Sequence, residues 1–315
     1  MKPRHPYRIT PEEQRKRKRV LRLEWLTIAL VLSIVVVMYF TMGSSQAMKT
    51  AWIEDMLALV PPLSFIIAER FRNKAPDQRF PYGYQQTTLL SFLVSAVAIL
   101  VMGLYMLYDA ASGLLAQEHP TIGHFDRFGL HVWAGWGMIG ALVYSVIPPL
   151  ILGHFKMGLG RDLQERTVLA DATMNKDDWQ TGAAAMLGVL GIGAGLWWAD
   201  SAAAAFISIN VIKDGVTHLR QGVMNLLDQR PTDAEKNQPL QIDRKLQDAL
   251  EQDEAVKAVD VRLRGEGPYI SGEVFVVMHK QAVTPEELEG LKCKAEAVDH
   301  RFYGLTVTPV GQLED

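Results

Sequence analysis

The sequence predicts an α-helical membrane protein, a six-transmembrane-helix bundle followed by a small cytoplasmic α/β domain. Three observations predict it. Within residues 21–227, six apolar stretches reach or approach the roughly 20 residues that a bilayer crossing requires. Basic residues crowd alternate loops, and the composition turns polar after Asp228-Gln229-Arg230-Pro231. That division explains how a chain of 315 residues that is 49% hydrophobic has a mean hydropathy of only +0.05.

Residues 1–22 form a basic cytoplasmic N-terminal segment with Lys2, Arg4, Arg8, Arg15, Lys16, Arg17, Lys18, Arg19 and Arg22. The run from Arg15 to Arg19 has the composition of a nucleic-acid patch. Beside a membrane span it reads instead as a topology determinant and an anchor for anionic lipid. The net charge of −3 supports no polyanion partner, so no nucleic acid is expected. The long polar leader, with no small-residue cleavage site near Thr41-Met42-Gly43, argues that the first span is kept.

The six-helix transmembrane domain is expected over 23–227, with spans near 23–42, 48–68, 87–115, 128–155, 168–198 and 199–226. Gly and Ala dominate the last two, a composition suited to close helix packing. Arg70, Arg72, Lys74 and Arg79 follow the second span, and Lys156, Arg161 and Arg166 follow the fourth. The alternate loops carry little beyond Arg127 and Lys49. The positive-inside rule then places both termini in the cytoplasm, of a multi-pass protein in a bacterial inner (cell) membrane.

Residues 228–238 read as a linker, and 239–315 as a cytoplasmic α-β-β-α-β dimerisation domain of ferredoxin-like type. Leu240, Ile242, Leu246 and Leu250 have helical spacing. Residues 256–263 and 269–279 read as strands around a Gly265 to Pro268 turn, and 305–310 as a third. Thr284-Pro285-Glu286-Glu287 carries a capping box and an N1 proline, starting a helix toward Arg301. A module this small gains stability by pairing, so a homodimer is expected. His279 and His300 are its only histidines and form no chelating motif. Cys293, the only cysteine, excludes a disulfide framework within one chain.

The chemistry lies in acidic residues at membrane depth. Glu54 and Asp55 fall in the second span, and Asp171, Asp177 and Asp178 in the fifth. Such groups are costly in hydrocarbon and mark a functional site by default, with a cation as the natural partner. For Asp171, near the start of its span, capping or water exposure competes with that reading. Asn210, Lys213, Asp214 and His218 on the sixth span fit a satisfied inter-helix network, with a vestibule or dimer contact as the alternative. Pro61-Pro62 and Pro148-Pro149 are expected to bend their helices. No Ser/His/Asp, His-Glu-x-x-His or phosphate-loop constellation occurs, so no enzyme, catalytic residue or cofactor is expected.

Taken together, these features resemble the cation diffusion facilitators. The residues that carry the likeness are Ser45-Gln46-Ala47-Met48 at the entry to span two, the Tyr82-Gly83-Tyr84 turn, the Asp171 to Asp178 segment and the Leu226-Leu227-Asp228 exit. The resemblance implies export of divalent metal in exchange for protons, through four ligands on spans two and five. Carried across, the ligand positions fall on Glu54, Ala58, Met174 and Asp178, of which only the first and last are carboxylates.

Neighbours are expected to supply the missing oxygens. Asp55 adjoins Glu54, and Asn175 lies three residues before Asp178 on one helix face. The candidate metal ligands are therefore Glu54, Asp55, Asn175 and Asp178, with Asp177 as an outer or alternative ligand. Oxygen donors without His or Cys favour Mn²⁺, Fe²⁺ or Mg²⁺ and leave Zn²⁺ open. Lys176 is turned away from Asp178 and reads as snorkelling or interfacial. Two other functions stay open here: a monovalent cation/proton antiporter on the same scaffold, and a non-transporting membrane sensor or scaffold.

Overall fold

The computed structural model describes residues 11–313 except 73, 75, 118, 128, 129, 237, 281 and 303; the side chains of 124–132 and 177 also lie outside the described set. The first helix, α1 (Pro11–Thr41), starts well before the apolar stretch, so the described basic leader is helical and continuous with the first span. Its Arg15, Lys18, Arg19 and Arg22 are exposed, whereas Arg17, Val20 and Glu24 are buried. The second apolar stretch is broken into α2 (Gln46–Leu57) and α3 (Val60–Arg72). Pro61 and Pro62 cause the break: they lack the N–H groups that would continue α2, and they suit the first turn of a new helix.

Helix α4 (Thr87–Leu115) coincides with the expected third span. Its two faces differ. Leu90, Val94, Val97, Val101, Leu104 and Tyr108 are exposed along one stripe, and Phe92, Ala96, Ile99, Gly103, Met106 and Ala110 are buried on the other. A long exposed apolar stripe is what lipid, not water, covers. The turn before α4 is tightly held: Asp77 accepts from Tyr84 Oη at 2.7 Å and from the N–H groups of Arg79 and Phe80 at 2.8 Å. The Tyr84 hydroxyl, then those amides, keep the exposed Asp77 carboxyl below the usual range.

The fourth span begins later than expected. Its helix is α5 (Gly135–Leu163), and residues before it pair as two antiparallel strands, β1 (His124–Arg127) with β2 (Leu130–Trp133). A short apolar run does not by itself distinguish strand from helix. Helices α6 (Arg166–Gly193) and α7 (Trp197–Leu226) follow, separated at Gly195, whose φ of +84° suits glycine. The small residues serve close approach as expected. A Cβ on Gly103 of α4 would meet Ile212 of α7 at 2.9 Å, and one on Gly215 of α7 would meet the Leu100 backbone at 2.8 Å. The Gln46–Arg72 stretch, α1, α4 and α5 are long and apolar enough to cross a membrane.

The C-terminal module runs α8 (Ile242–Glu251), β3 (Val256–Glu266), β4 (Tyr269–Met278), α9 (Pro285–Ala297) and β5 (Thr306–Pro309). Its sheet has the order β3-β4-β5, antiparallel between the first pair and parallel between the second. Leu246, Leu250, Val274, Val276 and Leu305 form its core. The predicted capping box is present at Thr284 and Glu287. The chain is thus mainly helical and apolar, with a small C-terminal domain.

Candidate functional site

Helix α2 is fixed at its start by a residue from α7. Asp200, fully buried, accepts from Ser45 Oγ at 2.7 Å, Gln46 N at 2.5 Å and Ala47 N at 3.2 Å. Ser45 Oγ in turn accepts the Met48 N–H at 3.1 Å. A carboxylate on the free amides of a helix N-terminus is favourable both as acceptor and against the helix dipole. This anchor sets the phase of Glu54 and Asp55, about two turns further on. At the other end of α2, the carbonyls of Leu57 and Ala58 have prolines four residues on and so receive no helical N–H there.

Two cavities meet at α2 and α6. The smaller, about 20 Å³, is lined by Glu54, Asp55, Ala58, Met174, Asp178 and Thr181, with Leu142, Ser145 and Val146 of α5 among its walls. The larger, about 90 Å³, is lined by Glu54, Met174, Asp178 and Thr181 again, with Asn210, Lys213 and Asp214 of α7. Glu54 and Asp178 thus border both spaces. Glu54 accepts from Thr181 Oγ1 at 3.1 Å and lies within electrostatic reach of Asp178, Asp55 and Asp214. Glu54 Oε2 and Asp55 Oδ2 are shielded from solvent and have no hydrogen-bond partner among the described residues. Buried carboxylate oxygens without donors are what a cation relieves. Among the described residues, no three His, Cys, Asp or Glu side chains form a closed metal cage as they stand.

The structure brings Glu54, Asp55 and Asp178 to one cavity and leaves Asn175 out of it. Asn175 is buried, and its Nδ2 donates to Asp171 Oδ2 at 3.4 Å. The reason is helix phase: the cavity follows the line Met174, Asp178, Thr181, while Asp171 and Asn175 lie four apart on the adjacent face. Of the family-matched positions, Ala58 and Met174 line the cavity without adding a carboxylate. The side chain of Asp177 lies outside the described residues. Lys176 is exposed, as its position on the helix implies.

Two charged groupings were missed from the sequence. Lys156, counted there among loop residues, is fully buried within α5 and donates from Nζ to Glu24 Oε2 of α1 at 2.8 Å and to Asp171 Oδ2 of α6. Asp171 is therefore neither a cap nor water-facing. The signal was present in the ionisable residues Glu24 and Lys156, each set inside an apolar run where it needs a partner. The second grouping ties the bundle to the C-terminal domain. Arg17 donates to Tyr269 Oη of β4 at 2.8 Å, to Glu13 at 3.2 Å and to Glu69 of α3 at 3.4 Å; Arg72 bridges Glu69 and Glu165.

Residues 23–227 match the model of the cation efflux transmembrane domain. The chain is 22% identical to the manganese efflux system protein MneS of Bacillus subtilis over 63% of its own length and 64% of that relative's, so it spans less than two thirds of MneS. It is 23% identical to the manganese efflux system protein MneP of the same organism, over 77% of this chain and 79% of MneP. A shorter match, 32% identical over 31% of this chain and 24% of the relative, is to a probable proton-coupled zinc antiporter of Mus musculus. With the domain match covering most of the chain and four helices long and apolar enough to cross a membrane, the protein is an integral membrane protein and belongs to the cation efflux family, the cation diffusion facilitators.

Proposed function

We propose that the protein exports a divalent cation, Mn²⁺ foremost, from the cytoplasm in exchange for protons, and that Glu54, Asp55 and Asp178 bind the ion. The observation that carries this reading is the pair of solvent-shielded, donorless oxygens, Glu54 Oε2 and Asp55 Oδ2, at a cavity they share with Asp178. Carboxylates suit hard cations of the Mn²⁺ and Mg²⁺ type, and the names of MneS and MneP put Mn²⁺ first among them. A cavity of about 20 Å³ holds little more than one water-sized sphere, so the ion enters it largely dehydrated. Carboxylate oxygens replace the lost water.

Six spans complete the proposal, α6 and α7 joining the four more apolar segments. Exposed Arg15, Lys18, Arg19, Arg22, Arg70, Arg79 and Arg161 support both termini in the cytoplasm of a bacterial cell. The C-terminal module pairs two copies as a homodimer. In the cycle, ionised carboxylates take the cation from the cytoplasmic side, the bundle rocks outward, and protons compete for the same oxygens and release it. The proton-coupled antiporter among the relatives supports that exchange.

The test is flux through purified protein in proteoliposomes across Mn²⁺, Fe²⁺, Zn²⁺, Mg²⁺, Na⁺ and K⁺, with a pH-sensitive dye inside. Mn²⁺ uptake with opposing proton movement is the expected result. Flux of Na⁺ or K⁺ alone supports the monovalent carrier, and no flux of any ion supports a sensor or scaffold.

A further inference from the structure

The cycle just described leaves one buried set of charges unused. Glu24 of α1 and Lys156 of α5 are 0% exposed, and Asp171 of α6 is 2% exposed. Lys156 is shared between the two carboxylates, 2.8 Å from Glu24 Oε2 and in contact with Asp171 Oδ2. None of the three lines either cavity at Glu54 and Asp178. Asp171 precedes Asp178 by two turns, about 10 Å along α6.

Charge balance singles out one member. Two carboxylates against one ammonium leave a surplus negative charge when all are ionised, and a low-dielectric interior does not keep one unmatched. The two carboxylates are not equivalent. Asp171 Oδ2 receives two donors, Lys156 Nζ and Asn175 Nδ2. Glu24 receives one donor on Oε2, while its buried Oε1 has no partner among the described residues. The charges that act on Glu24 are those of Asp171 and Lys156. The nearest charged pair on α3, Glu69 and Arg72, is taken up with Arg17, two turns toward the N-terminus of α1. The acidic pair of α2, Glu54 and Asp55, belongs to the cavity.

We propose that Glu24 is a proton-binding site separate from the cation cavity, and that its proton is exchanged during transport. The proposal deepens the proton-exchange reading above and rests on it. With a proton on Glu24, Lys156 is matched by Asp171 alone, and α1 meets α5 through a hydrogen bond from the ammonium to an uncharged carboxyl. Without it, a second ionic contact draws α1 onto α5 and α6. Because Asp171 rides on the helix that carries Asp178, any movement of α6 against α1 makes or strains that contact. Proton occupancy is thereby tied to helix position, and no bond other than O–H forms or breaks.

The experiment compares wild type with Glu24→Gln, which keeps the shape and mimics the protonated form, in proteoliposomes given Mn²⁺. Expected are a fall of at least twofold in protons moved per Mn²⁺ and a flattened pH dependence of uptake, with Mn²⁺ affinity within twofold of wild type. Unchanged proton movement and pH dependence in Glu24→Gln overturn the proposal. Difference infrared spectra of the full-length protein read the same group without flux: the protonated-carboxyl band that disappears on alkalinisation, to which the cavity carboxylates also contribute, is expected to lose one component in Glu24→Gln. If wild type moves Mn²⁺ without protons yet shows the Glu24 component, antiport and proton exchange at Glu24 both fail, and only proton binding there stands. If the band is the same in both proteins, the site fails. Should Glu24→Gln not assemble, Glu24→Asp serves in its place, with a shifted band and pH profile expected; an unshifted band and profile overturn the proposal.

Discussion

Replacing Asp200 tests how α2 is held in place to present its acidic pair. Asp200→Ala removes the acceptor from three donors, Ser45 Oγ, Gln46 N and Ala47 N, at a site with no solvent exposure. Each buried donor left unsatisfied costs about 1–3 kcal/mol. Allowing for partial relaxation and for the lost charge at the helix terminus, the sum is roughly 3–6 kcal/mol. Asp200→Asn keeps one acceptor oxygen but turns an NH₂ group toward a donor, so about half that loss is expected. Thermal unfolding in detergent should show the order wild type, Asn, Ala. Because the first turn of α2 sets the phase of Glu54 and Asp55, Mn²⁺ affinity should also weaken at least tenfold in the Ala variant. An Asp200→Ala protein with wild-type melting temperature and wild-type Mn²⁺ affinity refutes the anchoring argument.

Two further substitutions probe other charged contacts. Lys156→Met leaves Glu24 and Asp171 facing each other without their ammonium and should destabilise the bundle by about 3–5 kcal/mol in a thermal or denaturant melt, with recovery in the Lys156→Met/Glu24→Gln/Asp171→Asn triple variant; no recovery contradicts a purely electrostatic cause. In the C-terminal domain, Lys294, 2.5 Å away, and then the Ala255 N–H hold the Asp253 carboxyl below its usual range. A carboxyl depressed by folding contributes stability above its unfolded value, about 3.9, and loses that contribution as pH falls through the lower folded value. Asp253→Asn should therefore melt earlier than wild type at pH 7, with the difference closing in acid; a gap that widens in acid contradicts the assignment.

Elements governed by local pattern were legible in the sequence. The α4 span, the α8-β3-β4-α9-β5 order and the Thr284 capping box follow from periodicity and from side chains bonding within a few residues. What escaped depends on long-range partners or on fine helix phase. Strand β2 hid at the start of an apolar run that also suited a helix. Lys156 reads as a loop cation until α1 and α6 are seen to enclose it, and Asp200 looks unremarkable until its three donors arrive from residues more than 150 positions away. Asn175 shows the limit for the site itself. Counting residues put it on the face of Asp178, but a 60° offset is enough to turn a short side chain from the cavity toward Asp171. Glu54, Asp55 and Asp178 line one cavity, and acidic groups in an apolar span are conspicuous in the sequence without such precision.

The most direct measurement is Mn²⁺ binding to purified protein by calorimetry, for wild type, Glu54→Gln, Asp178→Asn and the double variant, at two pH values. Each single substitution should weaken binding at least tenfold, the double should abolish it, and acid should weaken the wild-type site by protonating the same oxygens. Wild-type Mn²⁺ affinity in the folded double variant would contradict the claim that α2 and α6 hold the ion between them.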